Sequence, residues 1–314
     1  MKEDRDHNLL ACAFEWEAGI PKKRAAIIAT HFPTLKEFLN ADTATLRKLA
    51  GSAAPKNSRL STQHLFSIRK LQKGRILSTK RSIADNLLIL ITRNFVKKQT
   101  KMLDDLTLDK LSPNPFLVQC LNLKTAREVV ELNVFMFATR SIVTSMGFFI
   151  EKLLLASSDS VSKGKKPWDL LVTRGKQKKS WIQVKSGPND MDADQIRHWA
   201  NLIAEKVRAG SNAYIGVTYG KRTTASVTMG LFGNYLPNWN KRTLIGRELW
   251  DFVSKDPNYH HRLFPLLSEA ASQILKSESI EKRISDSVDR LTLEFSRRYK
   301  PKSQAVSKYL KAIF

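Results

Sequence analysis

The chain has 314 residues, 42% of them hydrophobic and 26% charged, and its 53 Lys and Arg face 29 Asp and Glu. A net charge of +24 and a pI near 10.1 imply a polyanionic partner, of which nucleic acid is the commonest. Two cysteines, Cys12 and Cys120, exclude a disulfide framework and a cysteine-rich zinc site; both read as packed core residues in a reducing compartment. No apolar run approaches the roughly 18 residues of a spanning helix, and the opening MKEDRDHNLLACAFEW lacks the order of a signal peptide. The expectation is a soluble cytoplasmic protein with no membrane contact.

The first ninety or so residues read as helical and basic, with 13 Lys and Arg against 2 acids between residues 21 and 80. Apolar positions recur at helical spacing in Ala25, Ile27 and Ile28 and in Leu35, Phe38 and Leu39. Thr43 to Leu49 predicts a further helix capped by Asp42 or Thr43, broken at Gly51 to Pro55. The run from Ala18-Gly19-Ile20-Pro21 through His31-Phe32-Pro33-Thr34 to Gly51 partly resembles helix-hairpin-helix units, the second hairpin being poorly matched. That resemblance implies phosphate contact by a Gly-containing turn with Lys22, Lys23 and Arg24 beside it. An ordinary helical bundle with a solvated basic face is the other reading.

Residues 80 to 110 predict one long connecting helix, and Pro113 and Pro115 mark a boundary after it. Thr125 to Leu155 reads as two helices separated near Ser145 to Gly147. Trp168 to Val172 and Ser180 to Val184 then predict adjacent strands joined by a basic turn. A helix over residues 191 to 208 buries Ile196, Trp199, Ala200 and Ile203, and Ala213 to Thr218 is a third strand. After residue 240 the reading is mostly helical, with Ile280, Ile284, Val288, Leu291 and Phe295 along one face. The order predicts an α/β fold with a mixed sheet flanked by helices. Two parts follow: a basic all-helical region over 1–110 and an α/β domain with helical C-terminal additions over 111–314.

The chemistry concentrates in Pro167-Trp168-Asp169 and in Trp181-Ile182-Gln183-Val184-Lys185-Ser186-Gly187. Gln183 and Lys185 stand two apart on one strand, so their side chains share a face that a hairpin brings beside Asp169. Phosphodiester hydrolysis uses such parts: oxygen ligands for a hard divalent ion, and a lysine near the attacking water and the phosphate. Asp190 and Asp192 are weaker acid candidates. His198 beside Trp199 reads either as a DNA contact or, more commonly for a helical histidine, as a surface or capping residue; the pair His260-His261 should diverge on a helix, with no Cys or acid to complete a zinc set. No GxxxxGK[ST] loop is present, so no nucleotide cofactor is expected.

The segment resembles the PD-(D/E)XK nuclease superfamily over roughly residues 140–220. Asp169 matches the first acid, with Pro167 one position early, and Lys185 matches the lysine. Gln183 departs from the usual Asp or Glu, as in methyl-directed restriction enzymes of the Mrr kind, so another acid is required. Glu151, on the helix before the sheet, fills that place. The resemblance implies Mg²⁺ held by Asp169, Glu151, Gln183 and the Val184 carbonyl, with Lys185 beside the attacking water.

A closer likeness covers residues 112–275. Asn114-Pro115-Phe116, Gly147 to Glu151, Lys185-Ser186-Gly187, Gly216 to Gly220 and Gly246 to Trp250 occur in the order seen in type II restriction endonucleases that cut interrupted GGNCC-type palindromes. This implies site-specific cleavage of double-stranded DNA by a homodimer. Lys163, Lys165, Lys166, Lys221 and Arg222 are expected to line the DNA path. The alternatives are a structure-specific repair or recombination nuclease, and a non-catalytic DNA-binding protein with a decayed nuclease fold.

Overall fold

The computed structural model describes residues 2–50, 60–74, 76–188, 190–223, 230–276 and 278–313. The predicted break at Gly51 to Pro55 lies outside them. In chain order the helices begin with α1 (Lys2–Trp16), α2 (Lys22–Ala29), α3 (Leu35–Asn40), α4 (Thr43–Ala50), α5 (Thr62–Lys73) and α6 (Ile83–Asp104). Next come α7 (Leu108–Leu111), α8 (Pro115–Cys120) and α9 (Ala126–Ala156). Strands β1 (Val161–Lys163), β2 (Leu170–Val172) and β3 (Ser180–Lys185) precede α10 (Ala193–Arg208), β4 (Asn212–Val217) and β5 (Thr243–Ile245). Helices α11 (Arg247–Ser254), α12 (Tyr259–Leu275), α13 (Ile280–Arg298) and α14 (Ala305–Ile313) complete the chain. Two compact units emerge: Met1–Thr92 with Phe149–Ala270, and Arg93–Phe148 with Ala271–Phe314.

In the first unit the basic N-terminal segment is all-helical, as expected. Asp42 is the cap of α4, accepting from the Thr45 amide at 2.7 Å, and Thr34 caps α3 through the Glu37 amide. Phe14, Phe32 and Phe38 meet edge-on or tilted, with centroids 5.2 to 6.3 Å apart. Such pairs add about 0.5–1.5 kcal/mol each beyond their burial, so this core is more than a loose bundle.

The sheet runs β1-β2-β3-β4-β5. Its first two pairings are antiparallel and its last two parallel, which makes it mixed, as predicted. Ile196, Trp199, Ala200 and Ile203 of α10 cluster with Ala213, Ile215 and Val217 of β4 on one face. Leu170, Val172 and Ile182 join the separate core that contains the N-terminal helices. Strands β1 and β5 went unpredicted: each is three residues long, and neither sits in a longer apolar run such as Trp168 to Val172 gave β2; the chain turns helical only at Arg247.

The second unit has its own core, where Ile284, Val288, Leu291 and Phe295 of α13 meet Val129, Val130 and Val134 of α9. Here the structure corrects one expectation: α9 is a single 31-residue helix, with no break near Ser145 to Gly147. The Ser145 hydroxyl donates to the Ser141 carbonyl inside the helix. One interior Gly costs only about 0.5–1 kcal/mol against Ala, too little to end a helix without a proline. A second correction concerns apolar length. By length and composition α9 is long and apolar enough to cross a membrane, and only 17% of its most apolar window is buried. The predicted connecting helix is also shorter than expected, ending at Asp104.

Candidate active site

The site begins at the mouth of the β2–β3 hairpin. Leu170 pairs with Ile182 and Leu171 with Trp181, so one further step sets Asp169 opposite Gln183. The regular ladder stops there: the Asp169 amide donates to the Ile182 carbonyl at 3.2 Å. The Val184 amide donates instead to Oδ2 of the Asp169 side chain at 2.8 Å. A carboxylate thus takes the acceptor place that the shortened strand leaves open. Gln183 and Lys185 share the sheet face that carries Ile215 and Val217, their neighbours on β4, and Asp169 stands at the strand end beside them.

Burial raises the pKa of Asp169 above its ordinary 3.8, and the charge of Glu151 adds to the rise. The Val184 amide, Lys185 and Lys163 oppose it. The structure therefore brings Glu151 of α9 into electrostatic range of Asp169. Lys163 stands 3.4 Å from Glu151 Oε1. Gln183 Nε2 donates to the Val184 carbonyl at 3.4 Å, while Gln183 Oε1 is buried with no hydrogen-bond partner. Two carboxylates that repel each other beside an orphaned amide oxygen are a donor set that suits a hard divalent cation. Among the described residues no group of three His, Cys, Asp or Glu gathers for a metal, so this set has only two acids.

Lys185 Nζ donates to Gln195 Oε1 at 2.9 Å. Gln195 is itself fixed by Asp192, which caps α10 by accepting from the Gln195 amide at 2.8 Å and from Nε2 at 3.1 Å. Asp190 accepts from the Ser186 amide at 3.0 Å and from the Ser186 hydroxyl. Both weaker acid candidates are thus occupied in shaping the turn after β3.

The expected DNA-contacting residues are placed variously. Lys22 and Lys23 are exposed at the start of α2 and Arg24 is half-buried. They follow Gly19, whose φ of +70° is a left-handed value that glycine adopts without strain. Lys165 and Lys166 are exposed just before Asp169, and Lys221 is exposed beyond β4. Arg222 is engaged within the chain, donating to the Glu248 carboxylate and to Thr243. The Gly216 to Gly220 and Gly246 to Trp250 segments lie side by side. The Gly246 amide donates to Val217 at 2.8 Å, and Trp250 Nε1 donates to the Thr218 carbonyl at 2.9 Å. The His260 and His261 rings lie 4.0 Å apart.

Sequence reasoning missed two residues here. Gln195 was legible in Asp192-Ala193-Asp194-Gln195, which has the spacing of a capping box. Gly164 carried no such signal. Its amide donates to the Asp169 carbonyl at 2.7 Å, and a Cβ there would stand 2.5 Å from the Trp168 carbonyl oxygen.

No curated protein matches the chain. The family model described as type II restriction endonuclease EcoO109I matches residues 85–274, a span that contains the β2–β3 hairpin, Glu151, α10 and β4. The chain therefore belongs to the EcoO109I family of type II restriction endonucleases, DNA nucleases of the PD-(D/E)XK type.

Proposed function

We propose that the chain is a Mg²⁺-dependent restriction endonuclease that cuts double-stranded DNA at a specific site and acts as a homodimer. One observation carries the catalytic part: the hairpin that sets Asp169 against Gln183, with its carboxylate fixed by the Val184 amide. Asp169, Glu151, the orphaned Gln183 Oε1 and the Val184 carbonyl would hold the ion. When bound, Mg²⁺ neutralises charge on the phosphate and lowers the pKa of an attacking water. Lys185, steadied by Gln195, would offer a positive charge to the developing oxyanion. Exposed Lys22, Lys23, Lys165, Lys166 and Lys221 would meet the phosphate backbone, which a chain of net charge +24 favours. The N-terminal region over 1–110 would serve as a further DNA-binding part.

One observation favours a second reading, a DNA-binding protein without activity. The donor set holds two acids and an amide, and an amide oxygen is a weaker ligand than a carboxylate. The experiment is digestion of phage and plasmid DNA with Mg²⁺, beside an EDTA control and the Asp169→Ala variant. Discrete fragments that require both metal and Asp169 support the endonuclease. Binding without cleavage of any substrate, branched junctions included, supports the second reading.

A further inference from the structure

The register that joins β3 to β4 pairs Gln183 with Ile215 and Lys185 with Val217. Two residues further on it sets Gly187 beside Tyr219, on the face that carries Lys185. The two strand ends stay together: the Thr218 amide donates to the Lys185 carbonyl at 3.1 Å, and the Thr218 hydroxyl to the Ser186 carbonyl at 2.7 Å. Tyr219 fills the place of the side chain that Gly187 lacks, for a Cβ there would lie 2.6 Å from the phenol oxygen. The loop is braced on the β5 side as well. Trp250 Nε1 donates to the Thr218 carbonyl at 2.9 Å, and a Cβ on Gly246 would collide with the Gly220 carbonyl oxygen. Yet Tyr219 is 62% exposed, so its own burial does not account for the bracing. A firmly held loop presents an aromatic ring and a hydroxyl to solvent beside the candidate lysine.

We propose that the Tyr219 hydroxyl donates to the phosphate next to the scissile one on the same DNA strand, and so holds the scissile phosphate in place. Two residues of parallel strand span about 6.6 Å, which sets the phenol beyond the phosphate that Lys185 would serve. Consecutive phosphates of one DNA strand are about 3.4 Å apart along the helix axis and farther apart in space, because the strand winds. The neighbouring phosphate is therefore the group that the phenol meets. Tyrosine hydroxyls are ordinary phosphate donors, and a donor on a rigid loop loses little freedom when it binds. Place agrees: ligands of open α/β sheets meet the carboxyl ends of the parallel strands. Tyr219 stands at that end of β4, as Lys185 does of β3. Fixing a flanking phosphate keeps the reacting one in register with Lys185 and Asp169. Stacking of a base on the ring is the competing role, and the hydroxyl end of the ring, set over Gly187 on the face of Lys185, favours the phosphate. The inference rests on the nuclease reading above for the scissile phosphate.

The test uses a duplex spanning the cut mapped by the digestion above, with a methylphosphonate in place of the phosphate on one or the other side of the scissile bond. Tyr219→Phe removes the hydroxyl alone. In single-turnover cleavage it should cut about tenfold more slowly than the wild type, the loss of one hydrogen bond to a charged acceptor, with an unchanged melting temperature. Neutralising one of the two flanking phosphates should slow the wild type by a similar factor and slow Tyr219→Phe no further. Losses that add at both phosphates overturn the contact. So does a Tyr219→Phe that cuts at the wild-type rate, and a slow Tyr219→Ala beside it would assign the ring to base stacking. A second readout needs no cleavage: in EDTA, p-azidophenylalanine in place of Tyr219 should cross-link to duplex DNA on illumination. Cross-linking without cleavage sinks the catalytic reading and leaves Tyr219 at the DNA. DNA binding without cross-linking overturns this inference alone, and a protein that binds no DNA overturns both.

Discussion

The backbone amide of Val184 donates to Oδ2 of Asp169 at 2.8 Å, and this bond ties the candidate catalytic acid to the strand that carries Gln183 and Lys185. It also holds a carboxylate where burial penalises its charge, since the pKa of Asp169 is raised above 3.8 with desolvation as the leading cause. A raised folded pKa means that the group's contribution to stability is full below the unfolded value and is lost as pH rises through the folded one. Asp169→Asn cannot ionise. In EDTA it should melt above the wild type at neutral pH, and the two curves should converge as pH falls toward 3.8. Cleavage should fall by at least about a hundredfold. A neutral-pH melting temperature below wild type would show that Asp169 is a structural residue.

Gln195 accepts from Lys185 Nζ at 2.9 Å and is held by the cap of α10. Removing it frees the lysine without removing its charge. Gln195→Ala should lower the cleavage rate about tenfold, within the range for a misplaced group, with DNA affinity unchanged. Gln195→Glu keeps an acceptor and should retain most of the rate; a purely structural role would not discriminate between the two. Single-turnover cleavage and a binding isotherm measure both.

Much of this site was legible because its signals are local and periodic. Gln183 and Lys185 stand two apart on a strand, so alternation alone sets both on one face, and the hairpin brings Asp169, just before the neighbouring strand, beside them. Ile196, Trp199, Ala200 and Ile203 declared the buried side of α10 by their spacing, and the structure buries all four. What failed was length and tertiary detail. Ser145 to Gly147 looked like a break because Gly and Ser disfavour helices in isolation, but packing of α9 in its own core outweighs a fraction of a kcal/mol. Strand β5 is three residues long and exists through pairing with β4, which no local pattern announces. Gly164 matters through a backbone five residues away, and sequence spacing does not show which carbonyl folds over it.

Those two glycines separate cleanly by substitution. A Cβ on Gly164 would lie 2.5 Å from the Trp168 carbonyl oxygen and 3.1 Å from the Asp169 carbonyl carbon. Gly164→Ala should therefore destabilise by about 1–3 kcal/mol, as overpacking does, and should cut activity by moving Asp169. A Cβ on Gly147 meets nothing within 4 Å, and the residue lies within a continuous helix. Gly147→Ala should stabilise by about 0.5–1 kcal/mol. Denaturant unfolding of the two variants measures the opposite signs, and a destabilising Gly147→Ala would count against one unbroken α9.

Gln183 is the departure on which activity most depends. Its Oε1 is buried without a partner opposite Asp169, whose charge Glu151 already disfavours. Gln183→Glu adds a third negative charge to that cluster, so in EDTA the variant should melt below the wild type at neutral pH. Divalent metal reverses the balance, because a carboxylate is a stronger ligand than an amide and binding to the folded state alone raises its stability. The variant should therefore gain more melting temperature from Mg²⁺ than the wild type does, and cut DNA at a lower Mg²⁺ concentration. Melting curves across a Mg²⁺ titration give the readout without any need for cleavage. Equal metal-induced shifts in the two proteins would remove Gln183 from the ligand set and leave Asp169 and Glu151 to hold the ion.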